Sequence, residues 1–168
     1  GASLASASWD GTVRLTPLAG GEAEVFTGHR GPVNAVAFTP DGRALVSGGH
    51  DGTLRISPVD GGPTRSVMLG TPVNGIVVAP DGAIAAGGAD GKVHLLTAAG
   101  ESAGEVQASE TPIIALALSA DGATLAAAGI RGSVAIIDRQ GRRVQRVLVG
   151  PGLPVWSVAF RPASDELM

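Results

Sequence analysis

At 168 residues and a net charge of −3, the chain is long enough for one domain to bury about 68–70% of its unfolded surface. Its eleven arginines and lone Lys92 are scattered, so no basic stripe marks a nucleic-acid partner, and the lack of cysteine excludes disulfides, thiolate metal sites and covalent haem attachment. No apolar run approaches about 18 residues, so no membrane-spanning helix is expected. The chain opens on Gly1-Ala2-Ser3 directly in strand-like sequence, as a mature form or an excised piece would, and nothing in it fixes a compartment.

In chain order, Leu4–Ser8, Thr12–Leu18 and Glu22–Thr27 read as three strands, separated by Trp9-Asp10-Gly11 and Ala19-Gly20-Gly21. Asp-Gly between alternating apolar runs is a strong hairpin signal. A full four-strand unit follows in Val33–Phe38, Ala44–Gly48, Thr53–Ser57 and Arg65–Leu69. The third unit repeats it as Val73–Val78, Ala83–Gly87, Lys92–Thr97 and Glu105–Ala108, and the fourth as Ile113–Leu118, Thr124–Ala128, Ser133–Asp138 and Arg142–Val149. A single run, Val155–Phe160, comes last before the polar tail Arg161–Met168, giving sixteen predicted strands. Helix is expected nowhere, because no segment holds a 3.6-residue period between its turns.

The units are copies of one another. Pro32-Val33-Asn34 recurs as Pro72-Val73-Asn74, Pro112-Ile113-Ile114 and Pro154-Val155-Trp156, at steps of 40, 40 and 42 residues. A period of about 40–45 residues with four strands per repeat is a propeller period. Along the first strands a larger set such as Val36 and Phe38 alternates with a smaller one such as Ala35 and Ala37, continued by Gly75/Val77, Ala115/Ala117 and Ser157/Ala159. Alternate residues of a strand face opposite sides, so a small face can receive the bulkier face of the next sheet.

Gly28-His29, the run Ala44–Ile56 and the opening run Leu4–Leu15 resemble WD-repeat (beta-transducin-like) propellers, with period, Gly-His, Ser and Asp-Gly all in register over essentially the whole chain. The departures are plain. The Trp expected at the end of the third strand is Thr16, Ser57, Leu96 and Ile137, and the Trp-Asp pair survives only as Asp138. The turn Asp is Asp10, Asp51 and Asp90 but then Arg131, and the Ser position reads Ser6, Ser47, Ala86 and Ala127. The resemblance implies a buried hydrogen-bond network of His29, Ser47 and Asp51, with Ser6, Asp10 and Asp90 at the matching positions of other units. It further implies that the residues before the turn Asp, Trp9 and His50, and those second in the inner strand, Asn34, Asn74 and Trp156, lie near the rim of one face where partners dock.

By composition His29, Ser47 and Asp51 also resemble a hydrolase triad, in which a base oriented by a carboxylate activates a hydroxyl. A buried network kept for structure accounts for the same residues, and no catalysis is expected. Gly87-Gly88-Ala89-Asp90-Gly91-Lys92 fails as a phosphate loop, because Ala86 stands at the first Gly and Val93 at the magnesium-binding hydroxyl. His29, His50 and His94 form no closely spaced pair, so neither a metal nor a cofactor is expected. Trp9 and Trp156 are the sharpest partner-binding residues, Trp being a favoured hot-spot type, although either could instead fill space between blades.

The expectation is therefore an all-β, WD-repeat-like propeller array occupying 1–168. The first blade is 1–27, closed by the final strand 154–160, and the others are 28–69, 70–108 and 109–149. The small inter-blade residues suit narrow wedges, so a two-fold homodimer exchanging last strands would close an eight-bladed ring rather than a four-bladed monomer. The expected role is a non-enzymatic scaffold that recognises a protein or peptide, or assembles with itself. The alternative is an excised or engineered fragment of a larger redox protein, since Leu153–Phe160 is similar to stretches in bacterial propellers fused to c-type cytochromes. Neither nucleic acid nor membrane is an expected partner.

Overall fold

The computed structural model describes residues 1–150 and 152–161. Most of the polar tail, residues 162–168, lies outside them. The described residues contain fifteen strands and no helix, as the turn-punctuated period-2 patterning requires. The first blade holds β1 (Ser3–Ala7), β2 (Val13–Pro17) and β3 (Glu24–Phe26). The second holds β4 (Val33–Phe38), β5 (Ala44–Gly49), β6 (Thr53–Pro58) and β7 (Arg65–Met68). The third holds β8 (Val73–Val78), β9 (Ile84–Gly88), β10 (Lys92–Leu96) and β11 (Ser102–Gln107), and the fourth β12 (Ile113–Leu118), β13 (Thr124–Gly129), β14 (Ser133–Asp138) and β15 (Arg143–Val149). Each sheet is an antiparallel meander in chain order, three-stranded in the first blade and four-stranded in the rest.

Most strand boundaries fall within one or two residues of the sequence reading, and the largest shift among them has a local reason. β11 begins at Ser102, three residues early, because Gly100 takes φ 78° and closes a tight turn in which the Thr97 amide donates to the Glu101 carbonyl at 2.8 Å. A register shift at Leu95/Leu96 then absorbs the extra residue, a β-bulge. The larger difference is the sixteenth strand. Residues 154–159 join no sheet, and only Phe160 forms a bridge. Within one chain the final segment therefore does not complete the first blade, whose order stays β1-β2-β3.

Where that segment does lie follows from the core, which is divided into one apolar cluster per wedge. Val13, Val33 and Leu45 fill the first wedge, and Val46, Leu54, Val73 and Ile84 belong to the second. Val93, Ile113, Leu125 and Ile137 belong to the third. The fourth cluster places Val158 and Phe160 against Ala117, Ala126 and Ile136, as the inner strand of a further blade would pack. Among the described residues no cluster joins the first blade to the fourth.

Position by position, Leu4 matches Leu45, Ile84 and Leu125 on the side that faces the preceding blade. Those three are 1%, 2% and 0% exposed, whereas Leu4, with no preceding blade, is 58% exposed. Covering a leucine is worth about 1.5–3 kcal/mol, so the first blade carries an unfilled face.

Each inner strand is bulged at its second residue, between Val33 and Ala35, Val73 and Gly75, and Ile113 and Ala115. The bulge re-aims that side chain towards the next blade. Asn34 Nδ2 donates to the Val73 carbonyl (3.1 Å) and to Asn74 Oδ1 (3.3 Å), and Asn74 Nδ2 donates to the Ile113 carbonyl (2.9 Å). These amides tie successive inner strands together.

Candidate functional site

In the second blade, Gly28 leads the chain from the outer edge of the first blade to the base of β4, which delivers His29 beside the β5–β6 turn. His29 Nδ1 lies 3.2 Å from Asp51 Oδ1 and Nε2 lies 2.9 Å from Ser47 Oγ. The network assigns the tautomer: Nδ1–H donates to the carboxylate and Nε2 accepts from the Ser47 hydroxyl. Asp51 also accepts from the Arg30 amide (2.7 Å), the Thr53 amide (3.0 Å) and the Thr53 hydroxyl (2.7 Å). Burial opposes the charge on Asp51. The Arg30 amide, both Thr53 donors and His29 nevertheless hold its carboxyl well below the usual carboxylate range.

The sequence-predicted trio is thus brought together, with triad-like connections. Its surroundings differ from those of a nucleophile. Ser47 is 4% exposed and the His29 side chain 3%, so no substrate carbonyl reaches Ser47 Oγ in this arrangement. The geometry suits a buried, satisfied polar set that pins the incoming strand to the turn.

The matching positions of the other blades keep fragments of it. Asp10 accepts from the Thr12 hydroxyl (2.6 Å), the Thr12 amide (2.9 Å) and Arg14 Nη2 (3.0 Å). The Thr12 donors push its carboxyl down to about 2, with smaller help from Ser8 and Arg14 against slight desolvation. Ser6 is exposed on β1 and stays outside that set. Asp90 accepts from the Lys92 amide (3.1 Å), lies 3.1 Å from His94 Nε2, and donates its own amide to Thr71 Oγ1 (3.2 Å). Thr53 and Thr71 were not singled out from the sequence, although the recurrence of Asp10-Gly11-Thr12 as Asp51-Gly52-Thr53 carried the signal for Thr53. Arg139, whose Nη2 meets Asp81 Oδ2 at 2.7 Å between the third and fourth blades, has no matching residue in the other units and left no repeat signal.

Of the rim residues, His50 and Asn34 are exposed and Asn74 is half-buried. Trp9, in the β1–β2 turn, is 82% exposed, and Trp156, in the final segment, is 74% exposed. Neither indole fills a wedge. Within one chain they lie at opposite ends of the array, Trp9 on the first blade and Trp156 beyond the fourth. Among the described residues no group of three His, Asp or Glu side chains could hold a metal ion.

No curated protein matches the chain. The family model described as WD domain, G-beta repeat matches residues 20–56, which run from the outer strand of the first blade through the third strand of the second. The matched stretch contains Gly28-His29, Ser47 and Asp51, the residues that form the network. With blade sheets on either side of it, this match supports a WD-repeat family for the chain.

Proposed function

We propose that the chain is a non-enzymatic propeller scaffold for protein or peptide recognition, and that it closes by strand exchange with a second copy into an eight-bladed homodimer. WD-repeat domains generally mediate protein interactions. The observation that carries the closure is the pairing of two incomplete ends. The first blade lacks an inner strand and leaves Leu4 58% exposed, while Val158 and Phe160 of the final segment pack on the fourth blade, with only Phe160 bridged and residues 154–159 in no sheet. An open edge beside a strand without a sheet is an unstable combination in one chain and a complementary one in two.

The second blade supplies the register. Its inner strand pairs Val33 with Gly49, Val36 with Ser47 and Phe38 with Leu45. Transferred to the composite blade, Val155 lies opposite Ser8, Val158 opposite Ser6, Ala159 opposite Ala5 and Phe160 opposite Leu4. Solution mass tests it: light scattering gives twice 16.6 kDa, and removal of residues 151–168 abolishes that species. Because the chain has no cysteine, mixed Ala5→Cys and Ala159→Cys variants report closure directly by a disulfide between chains. A monomer that persists at high concentration refutes the dimer, and a bridge within one A5C/A159C chain instead identifies a four-bladed ring.

The same register brings Trp156 of one copy to the Asn34 position of the blade that carries Trp9 of the other at the His50 position. Two large aromatic surfaces then share one rim, a recognition spot for an apolar or planar side chain. Peptide ligands quench the indole fluorescence saturably in this reading, and Trp9→Ala removes the quenching with folding intact. Quenching that is indifferent to Trp9→Ala sinks the aromatic spot while leaving the closure standing.

A further inference from the structure

In three blades the turn between the second and third strands carries an aspartate that accepts from the amide two residues on. The distances are 2.9 Å from Thr12 to Asp10, 3.0 Å from Thr53 to Asp51 and 3.1 Å from Lys92 to Asp90. In the fourth blade the aspartate position is Arg131 and the amide two residues on belongs to Ser133. The donors persist without their acceptor, and a guanidinium has replaced the carboxylate. Among the described residues Arg131 forms no ion pair and the Ser133 hydroxyl no hydrogen bond.

The space itself repeats too. A Cβ built on Gly49 would meet Asp51 Oδ1 at 2.7 Å, beside His29, so in the second blade the room over that glycine is filled by the carboxylate and the imidazole. Over the matching Gly129 the nearest atoms are hydroxyls, Ser109 Oγ at 2.8 Å and Thr111 Oγ1 at 3.3 Å. Those two lie 3.0 Å apart, and the Thr111 amide donates to Ser109 Oγ at 3.1 Å. Ser109, Glu110, Thr111, Arg131, Ser133 and Val147 together line a solvent-open cavity of about 370 Å³ between the third and fourth blades.

We propose that this cavity binds a carboxylate, seated where the aspartate carboxylate sits in the other blades, with the Ser133 amide and hydroxyl as donors and Arg131 as counter-charge. In the second blade the turn stabilises its carboxylate, since the Arg30 amide and the Thr53 donors hold Asp51 ionised against burial. Glu110 on the wall offsets Arg131, so the site suits a monoanion better than a doubly charged phosphate. The carboxylate can come from a small acid or from an acidic side chain of a partner segment. The proposal is independent of how the ring closes.

Titration of the full chain with sodium acetate, followed by amide NMR, tests it. Saturable shifts at Glu110, Thr111 and Ser133 with a dissociation constant on the order of millimolar are expected, in keeping with an exposed pair of charges. Arg131→Gln weakens them at least about tenfold. Tighter binding of an N-acetylated, C-amidated Ala-Glu-Ala peptide than of acetate, with no response to its Ala-Gln-Ala counterpart, identifies a partner side chain as the source. Equal affinity for acetate and peptide identifies a small acid. Arg131→Asp restores the internal acceptor, so it should abolish acetate binding and raise Tm by about 2–4 °C. Non-saturable shifts, shifts unchanged in Arg131→Gln, tighter binding of inorganic phosphate than of acetate, or a lower Tm in Arg131→Asp would each overturn the proposal.

Discussion

The first and second blades begin from nearly the same sequence, Leu4-Ala5-Ser6-Ala7-Ser8-Trp9-Asp10-Gly11-Thr12 against Leu45-Val46-Ser47-Gly48-Gly49-His50-Asp51-Gly52-Thr53, and reach different ends. Leu45 is 1% exposed and Leu4 58%. Ser47 is held by His29, whereas Ser6 is exposed on β1. The side chains are matched, so the difference lies in what precedes them along the array. Leu45 has a blade before it to fill its wedge, and among the described residues Leu4 has none. In a repeat array a residue's energetic role is set by its neighbouring unit as much as by its own strand.

The sharpest way to break that comparison is to truncate both leucines. Leu45→Ala opens a cavity among Val13, Val33 and their neighbours and should cost about 2–5 kcal/mol of stability, read by denaturant unfolding. Leu4→Ala truncates a side chain that is already 58% exposed within one chain, so at dilutions where chains are separate it should stay within about 0.5 kcal/mol. At concentrations where the ring is closed, Leu4→Ala should instead weaken association by about 1.5–3 kcal/mol at each of the two junctions, roughly two to four orders of magnitude in dissociation constant. Equal, concentration-independent effects of the two variants would show that Leu4 is never covered, and the closure would fall.

The same comparison explains how much of this molecule is legible in its sequence. Fifteen of the sixteen predicted strands form, because Asp-Gly turns, Gly-rich breaks and period-2 runs act locally and each unit repeats them. Val155–Phe160 has strand sequence and joins no sheet, because a strand needs a partner edge and that requirement is not local. The network was legible as a set of spaced residues, but the parts played by the Arg30 and Thr53 amides were not, since backbone donors carry no residue signature. Asn34 and Asn74 were read as rim residues. Their reach across to the next blade depends on bulges at those two positions, which the sequence does not mark. At Arg131 the departure from the repeat was visible, and only the packed turn shows which donors the missing carboxylate leaves behind.

The network itself sharpens the comparison at lower energy and through pH. Removing one member of a buried hydrogen-bonded set costs about 1–3 kcal/mol, so His29→Ala should destabilise by that much while leaving the blade order intact. Asp51 adds a proton-linked part. Its folded carboxyl is held below the ordinary value of 3.8, so the unfolded chain binds its proton first as pH falls. The stabilisation is therefore fully present above about pH 4–5 and drains away as pH drops through 3.8 towards the folded value. Asp10 behaves with the same sign over about pH 4 to 2, but from the surface, where solvent and salt screen it. Stability measured from pH 7 down to pH 2 should fall in the parent chain, and Asp51→Asn should flatten that fall while starting from a lower value at pH 7. Asp10→Asn should flatten it less, and added salt should shrink the Asp10 effect more than the Asp51 effect. An acid limb unchanged by Asp51→Asn would mean that its carboxylate, though surrounded by donors, gains nothing from folding, and the network would then hold the turn by shape alone.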